Sequence, residues 1–162
     1  MKTIYIGFSC SGKIGSKLIS WFMRKPFSHT YLKFQEPWYK DQTIHQATGH
    51  GLGYMSENIF NSECTVVKEF PLQISDELFL EVVTNCHNNS GANYGYFQLL
   101  GIFMVDVLSK IGIKIKKNPI RGGIICSEWM YDILTEVYGK WTDKDPNLVD
   151  PSDIYAFLMT KV

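Results

Sequence analysis

An excess of charge of either sign is what this chain lacks. Sixteen Lys and Arg residues balance sixteen Asp and Glu over 162 residues. That balance removes the electrostatic footprint of a nucleic-acid binder. The local cluster Lys114, Lys116, Lys117 and Arg121 is of a size usual for a solvated loop. Cysteine is sparse too. Cys10, Cys64, Cys86 and Cys126 would permit two disulfides, but small disulfide scaffolds are denser in cysteine and follow a secretion signal. Met1–Phe8 reaches polar Ser9 after too short an apolar run for such a signal. The longest apolar stretch, Phe97 to Ile113, contains Gln98, Asp106, Ser109 and Lys110 and is short for a membrane span. These shortages predict a reduced, cytoplasmic protein without stable membrane insertion; they leave the oligomeric state open. Internal repeats and long linkers are also missing, so residues 1–162 read as one α+β domain.

Alternating β-branched and aromatic residues predict strands over Thr3–Phe8, His29 to about Phe34, Thr43–Thr48 and Cys64–Phe70, the last ended by Pro71. A glycine-rich bend is expected at Gly49, Gly51 and Gly53, and a polar loop before Cys64. Ile14, Leu18, Trp21 and Phe22 recur at helical spacing until Pro26. Ser75 is a good N-cap for a helix whose apolar face is Phe79, Val82, Val83 and Cys86. A long apolar helix is expected from about Asn93 to Lys110, another beginning near Cys126, and a last one opened by Pro151-Ser152-Asp153.

Two chemistries compete for the N-terminal turn and for the histidines. Gly7-Phe8-Ser9-Cys10-Ser11-Gly12-Lys13 fits the front of a phosphate-binding P-loop between a strand and a helix. The next residue is Ile14, however, where a Ser or Thr hydroxyl should hold Mg²⁺. No strand–helix alternation builds a parallel sheet either. A plain Ser/Gly turn is the better account, with nucleotide binding kept as the rival. His45, His50, Cys86 and His87 lack the paired spacing of a zinc site. Neither a metal nor a cofactor is therefore expected.

Cys126 is the best-placed nucleophile. It follows Gly122-Gly123-Ile124-Ile125 and precedes an amphipathic helix in which Met130, Ile133, Leu134 and Val137 point inward. A sulfur at a helix N-terminus meets unpaired N–H groups that favour thiolate and can hold an oxyanion. This predicts alkylation of Cys126 below neutral pH faster than of Cys10, Cys64 or Cys86. Gly122 and Gly123 leave room for a substrate backbone or simply shape the loop. His29 opens a strand, and on spacing alone a strand histidine is more often structural than catalytic.

Ser28-His29-Thr30-Tyr31-Leu32, then Ile44-His45-Gln46-Ala47-Thr48-Gly49, then Ile125-Cys126-Ser127-Glu128 resemble the circularly permuted NlpC-type papain-like family (YiiX-like proteins). Val149-Asp150-Pro151-Ser152-Asp153-Ile154-Tyr155 is similar to that family's closing segment. The islands span nearly the whole chain in the right order. The resemblance implies a papain-like fold with a small antiparallel sheet packed on several helices. It also implies a cysteine peptidase or amidase with Cys126 as nucleophile, His29 as general base and acid, and Gln46 as the third member. The family often has Glu at that third position; a Gln carbonyl can orient the imidazole but adds no charge. Tyr131, Gly123 and Ser127 are then candidate substrate contacts. A peptide-like or acyl-containing substrate follows, with lipid acyl hydrolysis or transfer and a catalytically silent binding module as alternatives. Trp38, Tyr39, Tyr94, Tyr96 and Phe97 either line an apolar pocket or belong to the core.

Overall fold

The computed structural model describes residues 1–36, 40–113, 115–120 and 122–161. Trp38, Tyr39, Lys114, Arg121 and the side chain of Tyr96 lie outside them. Five strands form one sheet: β1 (Lys2–Ser11), β2 (His29–Phe34), β3 (Thr43–Thr48), β4 (Gly51–Ser56) and β5 (Cys64–Ile74). Their order is β4-β3-β2-β1-β5, and every neighbouring pair is antiparallel. The helices are α1 (Ile14–Met23), α2 (Glu57–Glu63), α3 (Asp76–Asn89), α4 (Tyr96–Lys110), α5 (Cys126–Tyr138) and α6 (Pro151–Met159). The architecture is α+β, as the sequence predicts.

The period of two along the strands sorts side chains onto two unlike faces. Ile4, Ile6 and Phe8 of β1 and Leu32 and Phe34 of β2 join Trp129, Met130, Ile133 and Leu134 of α5 in the main core. The opposite face is smaller and partly polar. There Tyr31 and Ile44 pack on Phe60 of α2, and Lys33 pairs with Glu57 at 3.0 Å and Glu69 at 2.6 Å. The Lys33 ammonium is thus held between two carboxylates, which offsets the cost of its burial.

Four expectations change. The glycine bend is a turn at Gly51 (φ 108°) followed by a full strand, β4, paired with β3 from Thr43↔Ser56 to Thr48↔Gly51. β5 runs through Pro71 to Ile74, since it is a sheet edge where proline's missing N–H costs no ladder bond. The polar loop before Cys64 is helix α2, capped by the Ser56 hydroxyl accepting from the Ile59 amide. Finally, Asn93 and Tyr94 precede α4 instead of belonging to it. They bridge to Ile124, whose amide donates to the Asn93 carbonyl at 2.8 Å. This bridge ties the start of α4 to the segment entering α5.

Ser75 caps α3 as expected, and Asp150 with Asp153 forms a capping box at α6. The P-loop reading fails on geometry. Residues 7–11 are extended and paired with β5 out to Ser11↔Cys64, so no loop cradles a phosphate there. Gly7 is needed because a Cβ would fall 2.1 Å from the Tyr31 ring. Among the described residues, no helix is long and apolar enough to cross a membrane.

Candidate active site

Cys126 is the first residue of α5, and Ile125 before it is extended without a capping side chain. The thiol is buried against β2. Amides of Thr30, Ser127 and Cys126 itself point at the sulfur and favour thiolate. Burial outweighs them, with the Asp150 carboxylate opposing as well, and the thiol is pushed up to about 11. This corrects the expected partial thiolate: the helix N-terminus is present, but the sulfur is too dry for it to prevail.

His29 is the residue before Thr30. Its Nε2 lies 2.8 Å from Gln46 Oε1 across the β2–β3 ladder. The Gln46 amide nitrogen donates to Met55 Sδ at 3.5 Å, which fixes the amide orientation and leaves Oε1 as the acceptor. His29 Nε2 therefore carries the proton and donates, so Nδ1 is the basic nitrogen. Burial lowers the ring to about 4 despite the Gln46 bond, which raises it. The resting pair is a neutral thiol and a neutral imidazole.

Gln46 shares its sheet face with Met55, Tyr31 and Ile44, whereas Cys126 packs on the other face with α5. The link between the two halves is Thr30, which follows His29 in β2 and whose amide reaches the Cys126 sulfur. Among the described residues, the ring's hydrogen bond goes to Gln46 and none joins it to the Cys126 sulfur. A cleft of about 620 Å³ opens on the His29 side, lined among others by Ser9, Lys13, Gln46, His50, Cys64 and Tyr94. A slot of about 20 Å³, room for about one water, touches Cys126. Its walls include Ile19, Phe22 and Met23 of α1 and Leu99, Ile102 and Phe103 of α4. Ser28, Ile19, Tyr94 and Leu99 line both spaces. A larger cleft of about 770 Å³, bordered by Asp41, Tyr54 and His87, holds none of the predicted catalytic residues.

The three predicted substrate contacts all have structural work. Tyr131 meets Trp141 at a tilt, with centroids 5.5 Å apart, and packs against the core. Ser127 touches the slot, but its hydroxyl donates to the Val149 carbonyl at 2.6 Å. Gly123 (φ 79°) lies so close to residues 93–95 that a Cβ would sit 2.6 Å from the Asn93 carbonyl oxygen. His45 turns away from the cleft. It is fully buried against Trp129 and Tyr54, with Nε2 3.1 Å from Ser90 Oγ. Of the aromatics, Tyr94 lines both spaces and Phe97 is exposed.

Sequence reasoning missed the Thr30 amide, because a backbone donor leaves no trace in residue type. It also missed Ser9, which pairs directly with His29 and whose buried hydroxyl has no hydrogen-bond partner among the described residues. Only the β1–β2 register reveals that residue. Ser28 is held by Ser16, whose hydroxyl lies 2.5 Å away and also accepts the Ser11 amide. Compared with known proteins, the chain matches no family model and no curated protein.

Proposed function

We propose that the chain is a thiol hydrolase of the permuted papain-like kind, cleaving a peptide or amide bond through an acyl-enzyme on Cys126. The observation that carries this reading is the Thr30 amide at the Cys126 sulfur, one residue from an imidazole whose tautomer Gln46 sets. In the reaction His29 Nδ1 takes the thiol proton as sulfur attacks the carbonyl carbon. The amides that face the sulfur, those of Cys126 and Ser127 at the helix start, are the candidate donors to the oxyanion. The imidazolium then protonates the leaving amine, and the C–N bond breaks. Water, deprotonated by His29, releases the acid and restores the thiol. The neutral resting pair means that proton transfer accompanies attack instead of preceding it.

A second reading, hydrolysis or transfer of a lipid acyl group at the same sulfur, is favoured by the apolar walls of the slot beside Cys126. That slot must widen between α1 and α4 to admit a chain. The four free thiols support placement in a reducing compartment such as the cytoplasm.

Intact-protein mass spectrometry after a p-nitrophenyl ester tests the assignment. One acyl adduct should map to Cys126, be absent in Cys126→Ala and form more slowly in His29→Ala. Adducts spread over Cys10 and Cys64, or none, overturn it. No adduct on Cys126, with no turnover of any amide or ester, identifies the silent binding module instead.

A further inference from the structure

α1 and α4 pack side by side, with Phe22 and Phe103 ring centroids 4.3 Å apart. Their inner faces wall the slot beside Cys126, but α1 buries no residue fully. The outer faces are apolar. On α1, Ile14, Leu18 and Trp21 recur at helical spacing, with Trp21 75% exposed. On α4 and its C-cap, Phe97, Leu100, Met104, Val107 and Ile111 form a single stripe spaced three and four apart, with Phe97 73% exposed. Exposed apolar stripes of this length on two adjacent helices mark an interaction surface.

Charge identifies the occupant. Lys13, Lys17, Arg24 and Lys25 flank the α1 stripe, and no Asp or Glu occurs before Glu36. Lys110, Lys116 and Lys117 follow the α4 stripe, and between Asn93 and Ser127 the one acidic residue is Asp106, paired with Lys110 at 2.6 Å. The chain as a whole is neutral, so this region holds the excess of positive charge. A second copy of the chain would bring the same lysines against these, which like-charge repulsion opposes. An apolar face bordered by Lys and Arg, with an indole among the exposed side chains, suits the headgroup region of an anionic bilayer.

We propose that the outer faces of α1 and α4 dock on an anionic membrane surface, the helices lying in the interface without spanning it. The inference stands apart from the catalytic reading, since docking needs neither Cys126 nor His29. It also gives the α1–α4 seam a setting in which to part, because both helices would then rest in an apolar medium.

Flotation of the full chain with phosphatidylcholine vesicles, with and without equimolar phosphatidylglycerol, tests it. The chain should float with the anionic vesicles, and high salt should weaken this. Lys17→Gln and Lys117→Gln should each weaken partition about fivefold. Trp21→Ser and Leu100→Ser should each weaken it about tenfold or more, whereas Leu80→Ser, on exposed α3 surface, should change nothing. All these positions are exposed, so the variants should fold, and circular dichroism checks that they do. Three outcomes overturn the proposal. They are no flotation with either vesicle, flotation that only the lysine changes affect, or a concentration-dependent dimer that Trp21→Ser and Leu100→Ser abolish.

Discussion

His29 and Gln46 are joined by a 2.8 Å hydrogen bond between neighbouring strands, and the acceptor is an amide oxygen. A carboxylate in that place would orient the same ring and also stabilise its cation. Gln46→Glu should therefore raise the His29 pKa above its present value of about 4 and speed acylation of Cys126 several-fold. Gln46→Leu keeps the bulk but frees the tautomer, and should slow acylation about tenfold or more. NMR titration of the His29 ring and the acylation rate check both. An unchanged pKa in the Glu variant would show that the ring and residue 46 are not coupled in solution.

The thiol should behave as a buried acid. Its alkylation by iodoacetamide should stay slow at neutral pH and climb toward about 11, where half of it is thiolate. Acylation through the neutral pair should instead persist down to about pH 4, where His29 takes up a proton. Rates of both reactions across pH separate the two processes. A full alkylation plateau below pH 7 would mean a preformed thiolate–imidazolium pair.

Local chemistry made much of this fold legible. Ser75 and Cys126 mark helix starts, and β-branched runs mark β1, β2 and β3. What was hidden depends on partners distant in sequence. Pro71 reads as a strand end until β5 is known to be an edge, and Gly51 and Gly53 read as a bend until β3 supplies a ladder. At the site, the helix-start cysteine and the strand-start histidine were visible. The protonation of both was not, since depth of burial, and not residue type, decides whether helix-start amides can hold a thiolate.

Ser127 and Gly123 separate scaffolding from substrate contact. Ser127→Ala strands the buried Val149 carbonyl and should cost about 1–3 kcal/mol, with the KM of a good substrate nearly unchanged. Gly123→Ala puts a Cβ into the 93–95 backbone at positive φ, and should cost about 1–3 kcal/mol or more through strain and overpacking. Denaturant midpoints and steady-state kinetics on the same samples decide the matter. A raised KM at unaltered stability would return either residue to the substrate site.

Acid should loosen the fold through its buried rings. His29 and His45 are both lowered by burial from 6.5 to about 4. Below about pH 6.5 the unfolded chain binds protons that these folded rings refuse, so stability falls until the rings protonate near pH 4. Asp132 acts in the opposite sense. Its folded carboxyl is raised by burial to about 6, so it gains stability as pH drops from there toward its ordinary range. Glu136 and Asp153, also raised by burial, act with Asp132, so the histidine effect is read by difference. Removing one ring isolates the effect: His29→Gln should lose less stability than the parent between pH 6.5 and 4, by at most about 3 kcal/mol. Urea unfolding at stepped pH measures the difference, and parallel curves for parent and variant would mean that the His29 ring titrates alike in folded and unfolded chains.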